Sequence, residues 1–95
     1  MHCNRVDFSG HALRRMFERE VSIREVQAVI ELGEIVTSYP DDLPYPSALM
    51  LGLVARRPIH VVVGCEPDTN ICYVITAYEP SGELWEADFK QRKRP

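Results

Sequence analysis

The chain has 95 residues, of which 45% are hydrophobic and 26% charged, and its formal net charge is −3. These values fit one soluble globular domain, and the negative balance argues against broad, field-driven nucleic-acid binding while leaving room for a local basic patch. No stretch approaches the ~18 apolar residues that a membrane-spanning helix needs, and residues 1–20 lack the apolar segment of a secretory signal. Because three cysteines fit a disulfide framework poorly, we expect a cytoplasmic protein without a membrane partner.

The first predicted helix begins at Phe8 and Ser9, where the Ser9 side chain can cap the free backbone amides. With about 100° of rotation per residue, the apolar and polar residues that follow separate onto two sides. The side predicted to be buried comprises Ala12, Leu13, Met16 and Phe17. The side predicted to be exposed comprises His11, Arg14, Arg15, Glu18 and Arg19.

The second predicted helix starts at Ser22-Ile-Arg-Glu25, which is the pattern of a capping box. Its apolar positions indicate one buried stripe. That stripe comprises Ile23, Val26, Val29 and Ile30. Gly33 is predicted to end the helix in a left-handed backbone conformation.

Four strands are predicted after Gly33, over 35–39, 48–55, 59–66 and 71–79. Because the connections between them are short, we expect antiparallel neighbours. The sequence therefore predicts one α+β domain over residues 1–95, with two N-terminal helices packed on one face of a four-stranded antiparallel sheet.

The second face of the predicted sheet also needs a cover, since the central strands are apolar on both sides. We expect either the tail with Leu84, Trp85 and Phe89 or a second subunit to supply it. Residues 84–94 are amphipathic and fit either a helix or an extended edge.

Three residues spaced by four, His11, Arg15 and Arg19, fall on one stripe of the first helix. Two guanidinium groups can hold a phosphate through paired hydrogen bonds, and a histidine can move a proton. The alternative interpretation is a solvated helix face. His60 has two interpretations as well, as a buried strand residue or as an acid–base group. If it met His11 in one cleft, metal-free RNA cleavage would follow from the two imidazoles and the cations.

The basic tail and the aromatic residues carry weaker signals. Lys90-Gln-Arg-Lys-Arg94 can bind a phosphate backbone or simply solubilise the terminus. The aromatic side chains that can stack on bases, or only pack, are Tyr45, Tyr73, Tyr78 and Trp85.

Cys65 and Cys72 are predicted to face each other across a hairpin whose loop is Pro67 to Asn70. A disulfide between them is conceivable, but a reducing compartment and cross-strand strain favour two free, buried thiols. Cys3 falls in an N-terminus that we expect to be loose. No CxxC or HxxxH pattern completes a zinc site, so no metal or cofactor is predicted.

The chain resembles a small bacterial family of unknown function through three stretches. These are residues 8–26 with an H-A-x-x-R-M-x-x-R core, residues 33–52 with YPDDLPYPS, and residues 57–63 together with 75–93. That family is similar to RelE/ParE-like toxins of bacterial toxin–antitoxin systems, several of which cleave mRNA on the ribosome without a metal. The resemblance implies catalytic roles for His11, Arg15, Arg19, His60 and Tyr78. It implies an antitoxin protein as partner and RNA or the ribosome as target.

Two functional hypotheses follow. In the first, the protein is a metal-independent endoribonuclease or an inactive relative of one, with Lys90, Arg92 and Lys93 binding RNA phosphates beside the residues named above. In the second, it is a non-catalytic binding module or a homodimer that buries the second apolar face of the sheet.

Overall fold

A computed structural model describes residues 1–94, which form two helices and five strands. In chain order these are β1 (Arg5–Phe8), α1 (Gly10–Glu18), α2 (Ile23–Leu32), β2 (Glu34–Tyr39), β3 (Ser47–Val54), β4 (Arg57–Cys65) and β5 (Ile71–Tyr78). Neither helix in this range has the length and apolar character to cross a bilayer.

The prediction of a four-stranded antiparallel sheet is wrong, because the sheet has five strands and is mixed. Strands β2 to β5 form the expected antiparallel meander, and β1 adds to the far side of β5 in parallel, in the order β1-β5-β4-β3-β2. Arg5 lies opposite Ile71 and Phe8 opposite Val74. The four residues of β1 are too few to show a period-two pattern. Because β1 pairs in parallel with β5, which lies far along the chain, no hairpin turn next to β1 signals the pairing. The α+β class is nonetheless correct.

Both helices begin where their capping residues predict. The Ser9 hydroxyl accepts a hydrogen bond from the Ala12 amide, and Ser22 and Glu25 form the complete capping box. The end of α2 differs from the prediction, because Gly33 is extended (φ −76°, ψ 179°) rather than left-handed. The chain passes from Gly33 directly into β2, which removes the need for a left-handed turn.

The main core lies between the helices and one face of the sheet. It contains Met16, Val21, Val26, Val29, Ile30, Met50, Ile59, Val61, Val63, Cys72, Val74 and Ala77. Three residues predicted to be buried are instead exposed: Leu13 by 38%, Ile23 by 44% and Phe17 by 86%. The two helices are short and lie beside each other over one sheet face, so each buries a narrower stripe than its sequence offers.

The segment after β5 covers one end of the other sheet face, as the tail interpretation predicted. Trp85 is buried, Phe89 is half-buried and Leu84 stays exposed. The segment is neither a helix nor an edge strand, because it turns back on itself through a single bridge between Trp85 and Arg92. The Lys93 amide also donates to the Leu84 carbonyl over 2.9 Å.

Arg57 ties the helix layer to the start of β4. Its guanidinium group donates to the carboxylates of Glu25 and Glu79 and to the main-chain carbonyl of Glu20. The Ser22 amide and, to a smaller extent, Arg57 hold the pKa of Glu25 below its ordinary value. One side chain thus joins the turn between the helices, the first turn of α2, the start of β4 and the residue that follows β5.

Gly52 marks the closest approach of α2 to the sheet. A Cβ atom built at Gly52 would lie 2.8 Å from Val29 Cγ2 and 3.2 Å from Val29 Cα, so part of the obstruction is main chain. The helix can rest at this depth on β3 only because the position carries no side chain.

We therefore expect Gly52→Ala to destabilise the domain by about 1–3 kcal/mol, because the added methyl group pushes α2 away from a closely packed core. Urea denaturation followed by circular dichroism measures the change. Gly82→Ala is the matched control, since nothing lies within 4 Å of a Cβ at Gly82. Equal stability of the two variants would contradict this account of the α2 packing.

Candidate active site

His60 and Tyr78 are register partners on β4 and β5, on the sheet face that the C-terminal segment covers. The alternation along β4 places Ile59 and Val61 under the helices, so His60 between them points to the opposite face. His60 Nδ1 lies 3.3 Å from the Tyr78 hydroxyl, and His60 Nε2 lies 2.7 Å from the Phe89 carbonyl oxygen. The imidazole is therefore held between a strand residue and the main chain of the segment above it.

This geometry assigns the histidine tautomer. A carbonyl oxygen only accepts, so Nε2 carries the hydrogen that is donated to Phe89. Nδ1 of the neutral ring is then an acceptor, and the Tyr78 hydroxyl donates to it. The three groups form a chain in which a hydroxyl faces a base and the base is oriented by a third group.

Burial keeps this histidine neutral. His60 is completely buried, and the Trp85 ring packs against it in a T-shaped arrangement with the ring centroids 4.5 Å apart. Burial lowers the pKa of His60 below its ordinary value, although the hydrogen bond from Nε2 to the Phe89 carbonyl acts in the opposite direction. Burial raises the pKa of Tyr78, and the nearby Tyr39 adds to that effect, whereas the charges of Arg92 and Arg19 act against it. At neutral pH the pair consists of a neutral imidazole and a protonated phenol.

Two guanidinium groups lie near Tyr78. Arg19 extends from the end of α1 to β5, where its Nη1 donates to Thr76 Oγ1 over 2.9 Å and to the Ala77 carbonyl over 3.1 Å. The guanidinium carbon of Arg92 lies 5.6 Å from the centroid of the Trp85 ring. Both side chains remain largely exposed, so a bound anion can reach them.

The other residues predicted for the site lie apart from this group or have partners already. His11 and Arg15 lie on the exposed side of α1, in the helix layer, whereas His60 lies on the opposite face of the sheet. Lys90 Nζ is 3.0 Å from a carboxylate oxygen of Glu34, and Lys93 is exposed. The structure thus gathers His60, Tyr78, Arg19 and Arg92.

Sequence reasoning missed the Phe89 carbonyl, which orients the histidine, because a main-chain acceptor in an irregular segment has no residue signature. Trp85 was considered as a cover or a stacking platform, and it serves as the wall of the histidine pocket. Nothing in the spacing of residues 60, 78 and 89 could have placed them together without the strand register.

The prediction that Cys65 and Cys72 are two free, buried thiols is partly wrong. Cys65 and Cys72 do face each other across the hairpin, but Cys72 is disulfide-bonded to Cys3 and only Cys65 is free. The N-terminus is not loose either, since its α-amino group donates to the Ile30 carbonyl and Asn4 donates to the Asn70 carbonyl. The unpredicted strand β1 explains both differences, because it brings Cys3 beside the start of β5.

The site offers acid–base chemistry with anion binding. A half-buried hydroxyl can pass its proton to an oriented imidazole, and two cations stand close enough to act on that hydroxyl. Such a set suits the attack of a hydroxyl group on a phosphate ester.

A protein-family model matches most of the chain. Residues 8–79 match the model of the family described as Domain of unknown function (DUF4258). No curated protein and no solved structure matches the chain. Since the match spans most of the chain and includes both helices, β2 to β5 and the His60–Tyr78 pair, the protein belongs to the DUF4258 family.

Proposed function

We propose that this protein is a metal-independent endoribonuclease, related in function to RelE-like toxins, in which Tyr78 and His60 form the proton-transfer pair. The observation that carries the proposal is the hydrogen-bonded chain from the Tyr78 hydroxyl to His60 Nδ1 and from His60 Nε2 to the Phe89 carbonyl. The chain has the arrangement of hydroxyl, base and orienting group that hydrolytic and transfer enzymes use.

The reaction is the attack of an RNA 2′-hydroxyl on the adjacent phosphorus. Tyr78 oxygen takes the proton of the 2′-hydroxyl while its own proton passes to His60 Nδ1, which leaves an imidazolium held by Phe89. The 2′-oxygen forms a bond to phosphorus, the bond from phosphorus to the 5′-oxygen breaks, and a water molecule supplies the proton that the leaving oxygen needs. The products are a 2′,3′-cyclic phosphate and a 5′-hydroxyl, and His60 returns its proton to solvent through Tyr78.

The cations stabilise the charge that develops on the phosphate oxygens. Arg92 and Arg19 are the nearest candidates, because their charges already act on Tyr78. Arg19 is partly engaged with the β5 main chain, so Arg92 has the freer guanidinium group. Lys93 lies on the exposed C-terminal segment and can contact the RNA backbone, whereas Arg15 and His11 lie apart from the site on the exposed side of α1.

In this proposal RNA, alone or on the ribosome, is the target, and an antitoxin protein controls the activity. In the proposed mechanism the antitoxin would act by keeping RNA from the Tyr78 hydroxyl.

The second candidate function is a binding module or homodimer, and large exposed apolar side chains favour it. Phe17, Leu32 and Leu43 are each more than 80% exposed, and Leu53 is 69% exposed. Sedimentation would find a stable dimer and RNA assays would find no turnover if this function were the correct one.

We expect Tyr78→Phe to lower RNA cleavage by about 10²-fold or more, since the variant loses the hydroxyl that moves the proton but keeps the ring. The measurement is the rate of cleavage of a short labelled RNA in the presence of a chelator. Tyr73→Phe is the matched control, because Tyr73 lies on the same strand and faces Gly64 rather than His60. Cleavage that is unchanged in Tyr78→Phe would rule out the proposed mechanism, and a wild-type protein without cleavage would favour the binding module.

Arg92→Ala should slow single-turnover cleavage by about 10²–10³-fold, the range found when one charge-stabilising donor is removed from an active site. Arg14→Ala removes the same charge from the exposed side of α1 and is the control, with an expected change below threefold. If the two variants lose activity equally, the effect comes from general electrostatic attraction of RNA and not from a group at the site.

We expect the rate of RNA cleavage to fall at low pH, where His60 becomes protonated. Only neutral His60 accepts the proton, and its lowered pKa keeps it neutral below the ordinary value of about 6.5. We therefore expect kcat/KM to stay level from pH 8 to about 6.5 and to decline only at lower pH. Stability follows the same sign, because the unfolded chain binds a proton at His60 before the folded chain does, so the free energy of unfolding decreases as pH falls through about 6.5.

His60→Gln should flatten the stability profile over this range, and His11→Gln should leave it as it is in the wild type. A level kcat/KM that begins to fall well above pH 6.5 would contradict the assignment of His60 as the base. Denaturation midpoints at several pH values, measured alongside the rates, separate the effect on folding from the effect on catalysis.

A further inference from the structure

We propose that Cys3, Cys65 and Cys72 in their reduced state bind one Cu(I) ion through three thiolate sulfurs. This thiol site is independent of the proposed nuclease function. It lies at the opposite end of the β4–β5 pairing from His60 and Tyr78.

The sulfur atoms are already close together. The three Sγ atoms lie within 4.8 Å of one another. Among the residues that the structure describes, no other group of three or more histidine, cysteine, aspartate or glutamate side chains could hold a metal ion. Three sulfurs bound about 2.3 Å from one ion, the distance of thiolates in zinc sites, are about 4 Å apart. A metal ion therefore needs side-chain adjustments of an ångström or two and no change in strand register.

The strands position two of the ligands without help from the disulfide. Cys65 and Cys72 are opposed partners of the β4–β5 hairpin. Its loop is closed by hydrogen bonds from the Glu66 amide to the Ile71 carbonyl and from the Asn70 amide to the Glu66 carbonyl. Cys3 is held by the hydrogen bond from Asn4 to the Asn70 carbonyl, at the start of β1. Opening the Cys3–Cys72 bond would leave all three thiols facing one another.

The step that prepares the site is the reduction of the Cys3–Cys72 disulfide by a dithiol. The dithiol supplies two electrons and two protons, becomes a disulfide itself, and leaves two thiols on the protein. Binding of Cu(I) then forms three copper–sulfur bonds and releases the thiol protons to solvent.

The donor set favours Cu(I) over zinc. Thiolates and thioethers are the soft ligands that select Cu(I), and the Met1 thioether sulfur lies 3.5 Å from Cys65 Sγ. A structural zinc site takes four nitrogen, sulfur or carboxylate ligands in a tetrahedron, whereas the thiol site offers three thiols and a thioether.

The thiol site is largely enclosed by the protein. Cys72 is completely buried and the other two cysteines are half-buried, so the ion would be shielded from water but could enter from the N-terminal side.

The test is a titration of reduced protein with Cu(I) under nitrogen, in competition with the chelator bicinchoninate. We expect the wild type to take one Cu(I) per chain, with new thiolate-to-copper absorption in the ultraviolet. Cys65→Ser should weaken binding at least tenfold while leaving the Cys3–Cys72 pair and the fold intact. Near-ultraviolet circular dichroism before and after reduction checks that the chain stays folded.

Several results would overturn the proposal. These are a reduced protein that unfolds, a folded one that takes no Cu(I) from bicinchoninate, Cys65→Ser binding as tightly as the wild type, and stoichiometric Zn(II) displacing the bound copper. Tyr78→Phe should bind Cu(I) as the wild type does, so failure of the copper site and failure of the nuclease proposal are seen in different variants.

Discussion

The burial of β4 on both faces is the constraint on which the rest of the structure depends. Ile59, Val61 and Val63 point into the helix layer and are almost fully buried, while His60 between them is equally buried on the other side. A polar ring at such a position is tolerated only because both of its nitrogens have hydrogen-bonding partners. The C-terminal segment must therefore dock for β4 to be stable, and its docking creates the environment that keeps His60 neutral.

Much of the fold was predictable from local patterns. The caps at Ser9 and Ser22, the meander of β2 to β5 and the need for a second cover all follow from residue types within a few positions of one another. Strand β1 was not predictable, because its partner lies more than sixty residues away and its four residues carry no distinctive alternation. The same omission hid the position of Cys3, which lies two residues before β1.

The candidate site was predictable in its residue types but not in its arrangement. His60, Tyr78, Arg19 and Arg92 were all named from the sequence, yet the helical spacing that grouped Arg19 with His11 describes a surface of α1 and not the group around Tyr78. Register across β4 and β5 decides which side chains meet, and an irregular segment supplies the carbonyl that orients the imidazole. Neither feature has a sequence signature, since both result from packing over long distances along the chain.

Arg19 has a consequence for the behaviour of the protein in solution. Strand β1 ends opposite Val74, so the last residues of β5 form an edge of the sheet. At this edge the Arg19 guanidinium donates a hydrogen bond to the Ala77 carbonyl. A charged side chain on an unpaired edge strand disfavours the addition of a strand from a neighbouring molecule, and such strand addition is a common route to aggregation. Arg19 would thus oppose self-association of the protein, and a substitution at this position would alter aggregation as well as the proposed reaction at Tyr78.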